Sequence, residues 1–384
     1  MYTKTPIKIL NRFLSLFYDK LVSYVYSKQY RKTYKAHSFK NDETITATDI
    51  RMYKQKWESL SRCIDPVYLK IFSRYIGKDY RITPEDVVHN VIEALLNPIE
   101  HRGPYSDKNM YDKLLNQMPD CLPRTYFRRI DGHFYDNNYN NINDTTDKIL
   151  ELEQCNGVVA KVTVDTSSGL GVKLFGKTDG ILLDKTNGEL LSLEYLNETL
   201  GRDYIVQEYL SQSTFMSSFN KTSINTLRIL VYRSVNDNKV HVLNTILRIG
   251  KDGSLMDNAH QGGAVVGVKP NGELQNYLVD QFGNHFVIFN GIDFSREQFV
   301  IPNWDEIVHF ATKIGENIMY HRLLNLDVMI DSNNVPKLIE FNIRSMGIWS
   351  YQYAIGSCFG EFTDEIIEYC AANKDKIKSE YLLL

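Results

Sequence analysis

Residues 326–342 set two apolar strands around a short polar turn, and each strand carries a carboxylate among apolar neighbours. Leu326-Asp327-Val328-Met329-Ile330 runs into the turn 331–334, and Val335-Pro336-Lys337-Leu338-Ile339-Glu340-Phe341-Asn342 returns antiparallel. The register of such a hairpin can bring Asp327 and Glu340 side by side, with Asn342 on the face of Glu340 by the two-residue strand period. An acid held among apolar residues is costly unless a cation answers it. Two carboxylates and an amide oxygen are hard donors, suited to a Mg2+ ion that also holds phosphates. The alternative, acids on a solvent-facing hairpin, sits poorly with the apolar residues that flank both.

Several upstream segments carry complementary chemistry. Val158-Val159-Ala160-Lys161-Val162-Thr163 is a strand with a lysine near its end, followed by a small-residue loop containing Ser167, Ser168, Gly169 and Gly171. Glycines let backbone N–H groups approach phosphate oxygens, and hydroxyls add donors. The segment is neither a P-loop nor a dinucleotide fingerprint, and alone it also reads as an ordinary hairpin turn. Tyr204-Ile205-Val206-Gln207-Glu208-Tyr209-Leu210 is an apolar strand ending in polar residues. Asn225-Thr226-Leu227-Arg228-Ile229 and Asn244-Thr245-Ile246-Leu247-Arg248-Ile249 resemble each other, as neighbouring strands facing one site would. His260, in a glycine-bounded loop, reads equally as a substrate contact or general base and as a structural histidine.

The apolar periodicity predicts helices over 46–62, 66–76 and 84–96, so the first hundred residues read as mostly helical. Strands dominate from residue 157, at 157–164, 171–175, 180–184, 190–195, 204–208, 224–233 and 240–249. A helix over 304–320, strands at 325–330 and 336–341, and a helix over 362–377 follow. This order predicts an α+β fold.

Composition excludes several classes. The net charge of −3 argues against nucleic acid as a partner, and five scattered cysteines show no zinc or disulfide spacing. No apolar run approaches the length of a membrane span, and a reducing cytoplasm is the simplest setting. The charge is uneven, however: the first forty residues hold nine lysines and arginines against Asp19 alone. Within them Leu10, Phe13, Leu14, Phe17, Leu21, Tyr24 and Val25 recur at helical spacing between basic residues. Such a helix either packs its stripe on its own domain or docks it, through residues 1–40, on an anionic membrane surface or partner.

The ordered set of features resembles the ATP-grasp superfamily, which includes D-alanine–D-alanine ligase, biotin carboxylase and glutathione synthetase. Ser106-Asp107-Lys108-Asn109, Ser223-Ile224-Asn225-Thr226-Leu227-Arg228-Ile229, Asn258-Ala259-His260-Gln261-Gly262-Gly263, and Glu340-Phe341-Asn342 with Gln352 downstream narrow it to the sugar-transfer-associated ATP-grasp proteins. The resemblance implies two α+β lobes clasping ATP: a helical region at 1–100, a linking segment at 101–156, a nucleotide-loop lobe at 157–212 and a metal-binding lobe at 213–384. It implies that Lys161 and the loop from Ser167 to Gly171 bind ATP phosphates, and that Gln207, Glu208 and Leu210 read adenine. Asp327, Glu340 and Asn342 would hold Mg2+. Related ligases often place an arginine two residues before the metal aspartate, where this chain has Asn325. Arg228, Arg248 and Arg344 are candidates to supply that charge, and each reads equally as a surface or salt-bridging arginine. The implied activity is ATP-dependent joining of a carboxylate to an amine, on small or glycan-linked substrates. A glycan kinase and a non-catalytic assembly protein are the alternatives.

Overall fold

The strand periodicity resolves into two antiparallel sheets flanked by helices. The computed structural model of the chain describes residues 5–36, 45–164 and 171–377, with side chains in the first segment from 20 to 35. The first sheet contains β1 (Thr125–Ile130), β2 (His133–Asp136), β3 (Gly157–Val162), β4 (Val172–Thr178), β5 (Ile181–Asp184) and β6 (Tyr204–Glu208), in the order β2-β1-β6-β3-β4-β5. One face of this sheet buries Phe127, Val158, Ala160, Phe175, Tyr204 and Val206 against Leu152, Leu196 and Leu200 of two covering helices. By strand alternation the other face receives Lys161, Ile205 and Gln207.

Two sequence expectations change here. The boundary at residue 156 falls inside this sheet, because β1 pairs with β6 and so joins segments 101–156 and 157–212 in one lobe. Of the strand expected over 190–195, only Leu190 bridges to a strand residue, Leu183, and from Leu193 the chain is instead the helix Leu193–Leu200. Ser192 caps it by accepting from the Tyr195 N–H, and Leu196 and Leu200 then fall on one buried face. A cap fixes the chain direction that a short apolar run leaves open.

The second sheet has the order β11-β10-β9-β8-β7-β14-β15. Its strands are β7 (Thr226–Arg233), β8 (Val240–Ile249), β9 (Ala264–Val268), β10 (Leu278–Val279), β11 (His285–Phe286), β14 (Leu323–Ile330) and β15 (Pro336–Asn342), with a separate ribbon of β12 (Ile288–Phe289) and β13 (Ile292–Asp293) between. Leu227, Ile229, Val231, Leu326 and Val328 pack on helix Trp304–Asn317 from one side. From the other side Leu230, Tyr232, Ile246 and Leu323 share a core with Trp57, Leu69, Phe72, Val88 and Ile92 of the N-terminal helices. The described residues of the helical first hundred therefore share one core with the sheet. They cover one face of the second sheet.

These helices are α1 (Thr5–Ala36), α2 (Ala47–Trp57), α3 (Val67–Ile76) and a segment over 85–96 whose middle, Val88–Ile92, is π-helical. A capping box between Thr46 and Asp49 starts α2. The π-turn sets His89 between Glu85 and Glu93, 3.5 and 3.1 Å away, and Tyr26 of α1 stacks on its ring. Burial would lower the His89 pKa, but Glu93 and Glu85 raise it to about 10 from its ordinary 6.5. The folded state thus binds a proton that the unfolded chain loses near 6.5, and that stability is fully present below 6.5 and lost as pH rises through about 10. We predict that His89→Gln costs at least ~1 kcal/mol near neutral pH and that the gap closes at alkaline pH. Paired denaturant titrations across that range check it.

Candidate functional site

β14 lies between β7 and β15, and its register sets Asp327 opposite Arg228 on one side and Glu340 on the other. Asn342 pairs with Asn325 two residues along, which puts Glu340 and Asn342 on one face as the hairpin pattern requires. Asp327 is only 4% exposed. Its carboxylate accepts two bonds from Arg228, Nε to Oδ1 at 2.8 Å and Nη2 to Oδ2 at 2.7 Å, and a third from Arg248 Nη1 at 3.1 Å. Arg248 Nη2 donates onward to Asp257 at 2.7 Å, and Asp257 accepts from the Thr226 N–H and hydroxyl. Two arginines and two carboxylates from three adjoining strands and the loop after β8 thus form one charge-balanced chain.

The electrostatics follow from that geometry. Burial would raise the Asp327 carboxyl, but Arg228 and then Arg248 outweigh it and hold it at about 2. Burial raises the Asp257 carboxyl against the opposing pull of Arg248 and Thr226. A forked guanidinium on a carboxylate is a strong charge-assisted pair. The cost of removing one member is high because the other charge stays buried.

The first sheet reaches the same place with lysines. Lys161 of β3 is buried and donates to the carbonyl of Ile339, 3.2 Å away, at the bulge in β15. Burial and the nearby Lys108 push its ammonium down to about 8. Lys108 itself lies 3.2 Å from the Glu340 carboxylate. The Ser106–Asn109 segment holds it there: Asp107 accepts from the Asn109 N–H, the Lys108 N–H donates to the Thr163 carbonyl, and the Asn109 amide donates to the Thr163 hydroxyl. In the sequence Lys108 has no evident task, because its partner Glu340 lies far along the chain. A lysine fixed by a neighbouring Asp and Asn was the available signal.

The remaining expected residues lie as follows. Gln207 is buried at the end of β6, where its amide donates to the Pro123 carbonyl and the Thr125 hydroxyl while its Oε1 has no partner among the described residues. Glu208 exchanges bonds with the Arg124 backbone, and half-buried Leu210 leads into the crossover that bridges Gln212 to Asp331. Gly171 closes the β3–β4 hairpin at φ +74°, its carbonyl accepting from the Val162 N–H. Ser167, Ser168 and Gly169 lie outside the described residues. His260 is exposed and pairs with Gln281. Arg344 follows β15 and lines a small cavity with Asn97 and Arg102. The structure therefore brings Arg228 and Arg248 to Asp327, and gives His260 and Arg344 other surroundings.

The sequence profile of the sugar-transfer associated ATP-grasp family matches residues 90–366, well over half of the chain. The chain belongs to this family. Its two sheets are those of the ATP-grasp fold, and several solved ATP-grasp structures are similar to it. The ATP-grasp ligase PsnB, solved with a phosphomimetic variant of its minimal precursor, Mg and ADP, aligns with 71% of this chain and 62% of its own at 10% identity and a TM-score of 0.40. N5-carboxyaminoimidazole synthetase from Staphylococcus aureus, solved with ADP, aligns with 68% of this chain and 52% of its own at 12% identity and a TM-score of 0.38. The corresponding ribonucleotide synthetase of Thermotoga maritima gives 72%, 55%, 10% and 0.38. In each case the chain spans less than two thirds of the structure it matches. No curated protein matches the sequence.

The donor set of this ATP-grasp chain fits a magnesium nucleotide. Among the described residues no cluster of three or more His, Cys, Asp or Glu could hold a metal alone. Asp327, Glu340 and the Asn342 amide instead offer an incomplete set of oxygens, which suits Mg2+ because that ion keeps phosphate and water ligands. Lys108, Lys161, Arg228 and Arg248 lie around these oxygens, an excess of cations that fits phosphate.

Residues of the helical layer position the hairpin. Asn97 donates to the Leu323 and Ile343 carbonyls at 2.7 and 2.6 Å and accepts from the Leu323 N–H, tying the start of β14 to the end of β15. Fully buried Glu93 accepts from the N–H groups of Ser345 and Met346. Asn325, standing where an arginine is usual, donates to the Met346 carbonyl and accepts from the Tyr351 hydroxyl. It latches the loop, and the guanidinium that forks onto Asp327 comes from Arg228 on the neighbouring strand. We predict that Arg228→Ala destabilises the fold by about 3 kcal/mol, and that adding Asp327→Asn recovers part of the loss, because the stranded charge is then gone. Urea denaturation of the single and double variants measures both.

Proposed function

We propose that this chain is an ADP-forming carboxylate–amine ligase that takes Mg-ATP between its two sheets. The observation that carries this reading is the meeting of Lys161 and Lys108, from the first-sheet side, with the Asp327–Glu340 rung of the second. Bound Mg-ATP would supply the phosphoryl group that activates a substrate carboxylate as an acylphosphate, leaving ADP, and an amine would then displace inorganic phosphate to form the amide. Family membership supports the reading.

The residues' own tasks follow from charge. Glu340 is answered by Lys108, and Asp327 by Arg228 and Arg248. An arriving phosphate gives these cations a new anion, and the two carboxylates become available to the metal. Lys161, whose proton leaves near pH 8, is still mostly charged at neutral pH and can transfer from the Ile339 carbonyl to a phosphate oxygen. Arg228 and Arg248 then stabilise charge that develops during phosphoryl transfer. The hinge residues Gln207, Glu208 and Leu210 lie where the chain leaves the first sheet, and we assign adenine recognition to their backbone. Ser167, Ser168, Gly169 and Gly171 remain the proposed phosphate loop, and Asp327, Glu340 and Asn342 the metal ligands. The family's association with sugar transfer points to an amino acid or amine joined to a surface-polysaccharide sugar or uronic acid, in a cytoplasmic setting where ATP is available.

ADP release with Mg-ATP and pools of amino acids and uronic acids, with hydroxylamine as a trap, tests the proposal. Hydroxamate formation is expected. ADP without hydroxamate would replace the ligase with a kinase acting on a hydroxyl. Asp327→Asn and Glu340→Gln are expected to lower turnover by about 100-fold or more; unchanged turnover would sink the metal assignment. Lys161→Met is expected to raise the KM for ATP, and wild-type affinity for ATP to weaken as pH rises past about 8.

A further inference from the structure

Helix α1 is docked by the face opposite its apolar stripe. Between residues 20 and 35 the buried positions are Ser23, Ser27 and Thr33, with Val22, Tyr26, Tyr30 and Tyr34 half-buried beside them. Ser27 is fully buried, Tyr26 stacks on His89, and Tyr30 packs edge-on against Tyr68 and Phe72 while its hydroxyl donates to Glu85. Arg31 pairs with Asp65 at 2.7 Å. The outward positions are Leu21, Tyr24 and Val25, 50%, 51% and 59% exposed. Exposed Lys28, Lys32 and Lys35 follow them along the helix, and Lys20 flanks them. In the sequence Leu10, Phe13, Leu14 and Phe17 lead into Leu21 by steps of three and four, so the periodicity continues the same stripe. Leu21, Tyr24 and Val25 do not serve the domain core.

We propose that this outward face of α1 seats the protein on an anionic lipid surface. Residues 20–35 contain no carboxylate, while the chain as a whole is acidic, so α1 is a local basic footprint that an anionic bilayer would attract and the rest of the protein would not. A helix lying flat can sink Leu21, Tyr24 and Val25 between headgroups as the lysine stems extend to lipid phosphates. The contact is peripheral, since among the described residues no helix is long and apolar enough to cross a membrane. A second copy of the chain is a poor occupant, because it would bring the same lysines against these.

Sedimentation of the full chain with vesicles tests the proposal independently of ATP chemistry. Binding to phosphatidylcholine vesicles carrying roughly 30% phosphatidylglycerol is expected to exceed binding to neutral vesicles by at least about tenfold, and to weaken with salt. Leu21→Glu with Val25→Glu, and separately Lys28→Glu with Lys32→Glu, are each expected to remove about tenfold or more of that binding. Neither pair touches the docked face, so thermal melting should not change, and it serves as the folding control. Equal binding to neutral and anionic vesicles overturns the proposal. So does binding that both variants retain, or self-association in light scattering that both variants abolish.

Discussion

The site depends on the buried carboxylate of Asp327 and the two guanidiniums that answer it. A charge in a sheet centre is tolerated only when fully paired, and here the pairing comes from strands on the same sheet. Arg228 faces Asp327 because β7 and β14 hydrogen-bond in one register, and a slip of one residue would turn one of them to the opposite face, against helix Trp304–Asn317. The apolar cores on both faces hold that register. The charge chain and the packing are therefore one constraint, and altering either changes the other.

That constraint explains the helical layer. The first hundred residues bury their own apolar face against the second sheet, and they also send polar groups to the ends of the critical hairpin. Asn97 satisfies backbone groups at the start of β14 and just past the end of β15. Glu93 does the same for the loop beyond, with His89 and α1 stacked behind it. The N-terminal region thus acts as scaffold on its inner side, while Leu21, Tyr24 and Val25 stay exposed on its outer side.

Reading the chain from local pattern succeeded where the pattern was long or flanked by turns. Strands 204–208 and 240–249 have the extents their alternation predicts. It failed at 190–195, where a serine cap outweighed a short apolar run, and it passed over β9, whose continuous apolar Ala264–Val268 lacks alternation because both faces are covered. Lys108 and Asn97 were not legible as site residues. Their partners are distant in sequence, and single polar residues near helix ends have many ordinary uses.

The sequence by itself determined the hairpin that carries Asp327, Glu340 and Asn342, because two-residue periodicity and one turn suffice to align them. It also determined that α1 is amphipathic. Only the tertiary structure decided which arginines answer Asp327, since Arg228 and Asp327 stand 99 residues apart and meet through sheet pairing. Only it decided that α1 docks by Ser23, Tyr26, Ser27, Tyr30 and their neighbours and leaves Leu21, Tyr24 and Val25 outward. Periodicity gives a helix its faces; what each face meets is set by the surfaces that the rest of the chain presents.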